Sequence, residues 1–304
     1  MSQIKYISVP FRSGCNREGA QFAPKELLRI LKPDSKQVVN LDFSSEHFPL
    51  TDKAKNGVNN YESVLYMTQN LREVCARLLS QENRLFVIGG DNSIGLGSVA
   101  ASLEYDSNVG LIWFDAHGDI NTEQSSPSAN AHGMPVAALM HLCNSELITM
   151  APVKLNPQNI FWVGVRDLDE AEFEILKSQN VITNKKWKNT DVIEGNVYTV
   201  SEIHKRGMKA VMSEIVSKMA AQGIKNIHLS FDIDAMDPSI VQATGTKVND
   251  GLLQNDLDEF ISALYHFPDI RTIDFVEYNP FLDDSELTTA DWCIETIKKL
   301  SRLF

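Results

Sequence analysis

Gly110-Leu-Ile-Trp-Phe114 runs directly into Asp115-Ala-His117-Gly-Asp119. The first five residues are apolar without alternation, which is the pattern of a strand covered on both faces. The next five place three ionisable groups at a spacing of two, so an extended chain carries Asp115, His117 and Asp119 on one side. Groups crowded in this way repel or shift their pKa values unless something neutralises them, and a divalent cation does so. A helix cap with a solvated histidine is the plainer reading of a lone D-x-H. Its place immediately after an apolar run puts that reading behind.

Working outward, similar apolar runs occupy 4–9, 85–88, 160–165, 197–200, 227–231 and 270–276. Periodic segments between them predict helices near 24–32, 61–80, 93–103, 132–143, 169–179, 201–222, 253–265 and 284–302, the sixth with a cap at Ser201-Glu202. Strand and helix in alternation imply an α/β fold, a parallel sheet with helices on both faces. Ligands then bind beyond the carboxyl ends of the strands. The run Ile227-His-Leu-Ser-Phe231 meets that expectation, because it ends in Asp232-Ile-Asp234-Ala-Met-Asp237-Pro238. Asp237-Pro238 reads as a turn. Asp232 and Asp234 form a second acidic strand end that can converge with the first. Four carboxylates and one imidazole suit hard or borderline cations such as Mn²⁺ or Mg²⁺ and balance two of them. Two metals about 3.5–4 Å apart can share a hydroxide nucleophile at neutral pH.

The bulk properties narrow the rest. The 304 residues, 43% of them hydrophobic, suffice for one large α/β domain spanning 1–304. A net charge of −12 argues against nucleic acid and anionic membranes as partners and suits a cationic small substrate. Cys15, Cys75, Cys143 and Cys293 lie far apart with no C-x-x-C pair, so four reduced thiols are expected. No apolar run has the length of a membrane span, and residues 1–10 lack a secretory apolar region, so the expected location is cytoplasmic.

Five segments, in order, resemble signatures of the arginase and agmatinase family, the ureohydrolases. They are Gly89-Gly-Asp-Asn-Ser-Ile94, Asp115-Ala-His-Gly-Asp119, Ser230-Phe-Asp-Ile-Asp-Ala-Met-Asp-Pro238, Ala243-Thr-Gly-Thr246 and Val276-Glu-Tyr-Asn-Pro280. The resemblance implies a three-layer α/β/α fold, two Mn²⁺ ions and a homo-oligomer, trimer or hexamer. By the same match Asp115 and Asp232 bridge the metals, His117 and Asp234 complete one site, and Asp119 serves the other and hydrogen-bonds the hydroxide. The family's histidine ligand in the first segment is here Asn92. An amide oxygen is a poorer donor than imidazole, so one metal is expected to be weak or absent.

Within the family the chain is closer to arginase. Residues 120–133 resemble the loop that holds the amino-acid end of the substrate, with Asn121, Ser126, Ser128 and Asn130 facing the α-carboxylate. Asp169 and Glu172 match residues that face the α-ammonium. His132 matches a proton shuttle, Glu277 the carboxylate that pairs with the guanidinium, and Thr246 an assisting hydrogen-bond group. Hydrolysis of L-arginine to L-ornithine and urea is therefore the expected activity. Agmatine, a guanidino acid and formiminoglutamate are the alternative substrates, and a metal-deficient, non-catalytic family member is the alternative of a different kind. Agmatine would leave the carboxylate-binding donors unpaired.

Overall fold

The structure, a computed structural model, describes residues 3–43, 54–144, 146–183 and 193–304. Eight strands form one sheet: β1 (Ile4–Ser8), β2 (Val38–Asn40), β3 (Arg84–Ile88), β4 (Gly110–Phe114), β5 (Ile160–Val165), β6 (Val197–Thr199), β7 (Asn226–Asp232) and β8 (Asp269–Val276). Their order is β2-β1-β3-β8-β7-β4-β5-β6, and every pairing is parallel. The chain lays down β1 to β3 on one side and β4 to β6 on the other. It then returns to insert β7 and β8 between β3 and β4. The four central strands therefore come from distant parts of the sequence, and their carboxyl ends meet at one place.

Consecutive residues of each central strand enter opposite cores. Leu85, Val87, Leu111 and Trp113 pack on one face, with α2 (Tyr61–Leu79), α3 (Gly95–Tyr105), α4 (Pro135–Leu139) and α5 (Glu170–Ser178). Phe86, Ile88, Ile112 and Phe114 pack on the other, with α1 (Ala23–Leu31), α6 (Val200–Arg206), α7 (Met208–Ala221), α8 (Gln254–Leu264) and α9 (Thr288–Ser301). This is the three-layer α/β/α arrangement, and it explains why the runs are apolar without alternation. Three phenylalanines stack across β4, β7 and β8, with ring centroids 4.6 Å apart for Phe114–Phe231 and 5.4 Å for Phe231–Phe275. They form a rigid floor one or two residues before Asp115, Asp232 and Glu277.

Three expectations change in detail. β2 was not anticipated; it is a three-residue edge strand with no buried residue. The helix expected over 201–222 is two helices, α6 and α7, divided at Gly207, whose φ of 84° few other residues adopt. Its cap is Thr199 rather than Ser201, because the Thr199 hydroxyl accepts from the Glu202 N–H at 3.1 Å. The segment 132–143 shortens to a 3₁₀ turn at Ala131–Gly133 followed by α4. All four cysteines are free and buried. Among the described residues no helix is long and apolar enough to cross a membrane.

Candidate metal centre and substrate cavity

The loop after β3 is fixed by backbone packing. A side chain on Gly90 would place its Cβ 1.6 Å from the Phe11 carbonyl oxygen, so only glycine lets the two segments touch. Asp91 accepts from the N–H groups of Gly14 (2.8 Å) and Ser93 (3.0 Å), which caps the turn carrying Asn92. The Asn92 N–H donates to Glu277 Oε1 at 2.8 Å, joining the end of β3 to the end of β8.

Beyond β4, Asp115 Oδ1 accepts from the His117 N–H at 2.7 Å. His117 Nδ1 lies 3.3 Å from Asp115 Oδ1 and 3.2 Å from Asp234 Oδ2. Asp232 Oδ1 accepts from the Asp234 N–H at 2.8 Å. The two acidic strand ends thus converge, as the alternation of strands and helices led one to seek. Asp119 and Glu277 both hold left-handed backbone, at φ 48° and 66°. For residues that are not glycine this is strained, and strain of this sort gathers where function fixes a side chain.

A cavity of about 440 Å³ opens over this cluster, within the range of small-molecule sites. Its lining includes Asn92, His117, Asp119, Asn121, Ser126, Ser128, Asn130, His132, Asp169, Glu172, Asp232, Asp234, Thr246 and Glu277. Asp115 lies just behind it, 1% exposed. Every candidate residue named from the sequence is therefore at one site.

The Arginase family model matches residues 2–301. The chain belongs to the arginase family. An arginase of Staphylococcus aureus is 31% identical over 293 residues, spanning 94% of this chain and 92% of that protein. A Bacillus subtilis arginase is 31% identical over 308 residues, spanning 98% and 97%. The solved structure of Entamoeba histolytica arginase in complex with L-ornithine has a TM-score of 0.83 at 31% identity, covering 99% and 98% of the two chains. A formimidoylglutamase structure from Bacillus subtilis, at 20% identity and TM-score 0.72, shares the fold.

The electrostatics of this arginase-family site suit a bound cation. Burial, then Asp234, pushes Asp115 up to about 6. Asp119 and Asp232 are driven well above the usual carboxylate range by burial and by their acidic neighbours Asp115 and Asp234. Asp234 goes the other way: burial opposes ionisation, but His117 and Arg166 outweigh it. One half of a binuclear centre fits well. One ligand atom each from Asp115, His117 and Asp234 lies within 4.8 Å of the others. The other half, which would use Asn92 and Asp119, does not. There the Asn92 amide N–H₂ faces the carboxylates, donating to Asp115 Oδ2 at 3.0 Å and to Asp119 Oδ2.

On the substrate side, several polar atoms are already engaged. Asp169 and Glu172 cap α5 reciprocally, and Glu172 also accepts from the Ile120 N–H at 3.2 Å. Burial pushes the Glu172 carboxyl up to about 7. Asn121 donates to Asp169 Oδ2 at 2.7 Å and accepts from Ser125 Oγ at 2.7 Å. Asn130 accepts from Asn59 Nδ2 at 3.0 Å, leaving its own N–H₂ for a ligand. His132 Nδ1 lies 3.5 Å from Glu277 Oε1. Burial pulls His132 down, but Glu277 and then Asp91 outweigh it, so its pKa is raised.

Three features escaped the sequence reading. Arg17, exposed at the rim, lines the cavity. Arg166, 5% exposed, donates to the carbonyls of Asp234, Ala235 and Met236 at 2.8–3.2 Å. It thereby grips the turn that carries Asp234. Beneath the site, His228 Nε2 meets Asp274 Oδ2 at 2.9 Å and its Nδ1 meets Ser102 Oγ at 2.8 Å, tying α3 to β7 and β8. Only the Arg-Asp-Leu-Asp stretch after β5 gave any signal for these. A cation beside a strand end is uninformative until its partners are known.

Proposed function

We propose that the protein hydrolyses L-arginine to L-ornithine and urea, with Asp115, His117, Asp232 and Asp234 holding Mn²⁺. The observation that carries this reading is the juxtaposition, in one cavity, of a buried acidic cation cluster and a loop of neutral donors. When bound, the cation would act as a Lewis acid that makes a water nucleophilic at neutral pH. Asp119, buried beside the cluster, is placed to accept a proton from that water. Glu277 is pinned by the Asn92 N–H and presents its carboxylate to the cavity, where a guanidinium can be held by parallel hydrogen bonds. His132, held by Glu277 and partly open to solvent, is placed to hand a proton to the departing amine. The Asn130 amide, with Ser126 and Ser128, offers donors to the α-carboxylate. Asp169, steadied by Asn121, offers its negative charge to the α-ammonium. The ornithine complex of the Entamoeba arginase supports a substrate of this length and charge.

Arg17 favours one second reading, a formimino or guanidino acid whose carboxylate reaches the rim. The test is release of urea from L-arginine, agmatine and a guanidino acid, and of formamide from formiminoglutamate, each with Mn²⁺. Turnover of arginine above the others supports the reading. Turnover of formiminoglutamate or of the guanidino acid alone supports the second, and no turnover of any of them overturns both.

His132→Asn is expected to lower kcat by about 10²- to 10⁴-fold with little change in KM. Imidazole added to the solution should restore part of the loss. A kcat equal to that of the wild type would take His132 out of proton transfer.

A further inference from the structure

We propose that the chain binds one divalent cation tightly rather than two, because the Asn92 amide occupies the second half-site as a neutral substitute for a cation. The inference rests on the metal-dependent reading above and deepens it. The family resemblance implies a binuclear centre, and here its two halves are built differently.

The first observation is where the Asn92 N–H groups go. Nδ2 contacts Asp115 Oδ2 and Asp119 Oδ2 together, so both amide protons face carboxylates that a second cation would otherwise share. The second observation concerns the other end of the same amide. Oδ1 of the same amide is buried with no hydrogen-bond partner, on a residue only 2% exposed. A buried acceptor left unpaired is costly, and the opposite amide orientation would change which atom is left over. That orientation, however, would set Oδ1 against two buried carboxyl groups, which is repulsive unless a cation or a proton lies between them. The third observation is the ligand geometry. Among the described residues Asp115, His117 and Asp234 are the group whose ligand atoms converge, and neither Asp119 nor Asp232 joins them.

The amide thus has two settings. In one, N–H₂ quiets Asp115 and Asp119 and the second half-site is closed. In the other, the side chain turns over and gives a single neutral oxygen to a cation. To bind there, a second ion must break the two hydrogen bonds from the amide and gain one weak ligand in return. Its affinity should fall below that of the first ion by roughly 100-fold, the scale on which supporting groups tune metal sites.

The experiment strips the full-length protein with a chelator, titrates it with Mn²⁺ and counts bound ions by equilibrium dialysis. Electron paramagnetic resonance separates an isolated ion from a coupled pair. The expected result is one tight equivalent with the signal of an isolated ion. Asn92→Asp keeps the shape but removes both donors. It is expected to take up a second equivalent, and when metal-free to melt below metal-free wild type. Asn92→His should also gain the second ion and raise turnover. Two equivalents of equal affinity in the wild type, with a coupled signal, would overturn the inference. So would a single equivalent in both Asn92→Asp and Asn92→His. One tight ion with no hydrolysis of any guanidino or formimino substrate leaves the inference standing and defeats the proposed activity.

Discussion

Asp234→Ala is expected to lower Mn²⁺ affinity and urea formation together, by more than the ~10–100-fold typical of groups that merely support a metal ligand. Asp234 is one of the three residues whose ligand atoms converge, and its carboxylate is held ionised by His117 and Arg166 against the pull of burial. Its Oδ1 also accepts from the Ala116 N–H at 3.3 Å, so the side chain helps to close the β4 end over the β7 end. Circular dichroism should show the fold intact, since the strand before it is packed by Phe231 rather than by the carboxylate. Unchanged manganese binding and unchanged turnover would remove Asp234 from the metal centre.

Arg166→Met is expected to cost about 3–5 kcal/mol of stability, a melting temperature lower by on the order of 10 °C. The guanidinium is buried and donates to six carbonyls, those of Gly164, Asp234, Ala235, Met236, Val248 and Asn249. Methionine matches much of the volume but leaves these acceptors without a donor. It also removes the positive charge behind Asp234. The loss should therefore appear twice, as earlier thermal unfolding and as weaker Mn²⁺ binding. A variant that melts early yet binds manganese normally would confine Arg166 to holding the turn.

These two residues mark the limits of what the sequence revealed. Asp234 was legible because it follows an apolar run at a spacing of two, and the strand rule says where such a residue points. The central strands were legible for the same reason: residues such as Trp113 and Phe114 fall into opposite cores, so the apolar pattern has no gap. β2 was not, because a three-residue edge strand without buried positions carries no pattern. Arg166 was not, because its partners lie about seventy and eighty residues away and nothing local distinguishes it from a surface arginine. His228 and Asp274 sit on core positions of β7 and β8, and their pairing exists only once those strands are side by side. For Asn92, the sequence showed an unusual residue type for a metal ligand. It did not show that the N–H₂ edge faces the carboxylates.

Residue 92 also divides its work between two kinds of atom. Its backbone N–H fixes Glu277, and any amino acid except proline supplies that group. Its side chain meets Asp115 and Asp119, the contacts on which the proposed one-ion binding depends. Exchange of this one side chain would therefore alter the contacts to Asp115 and Asp119 while leaving the backbone hydrogen bond to Glu277 in place. On the proposed reading, a change from one-ion to two-ion binding would need a single substitution and would leave Glu277 held as before.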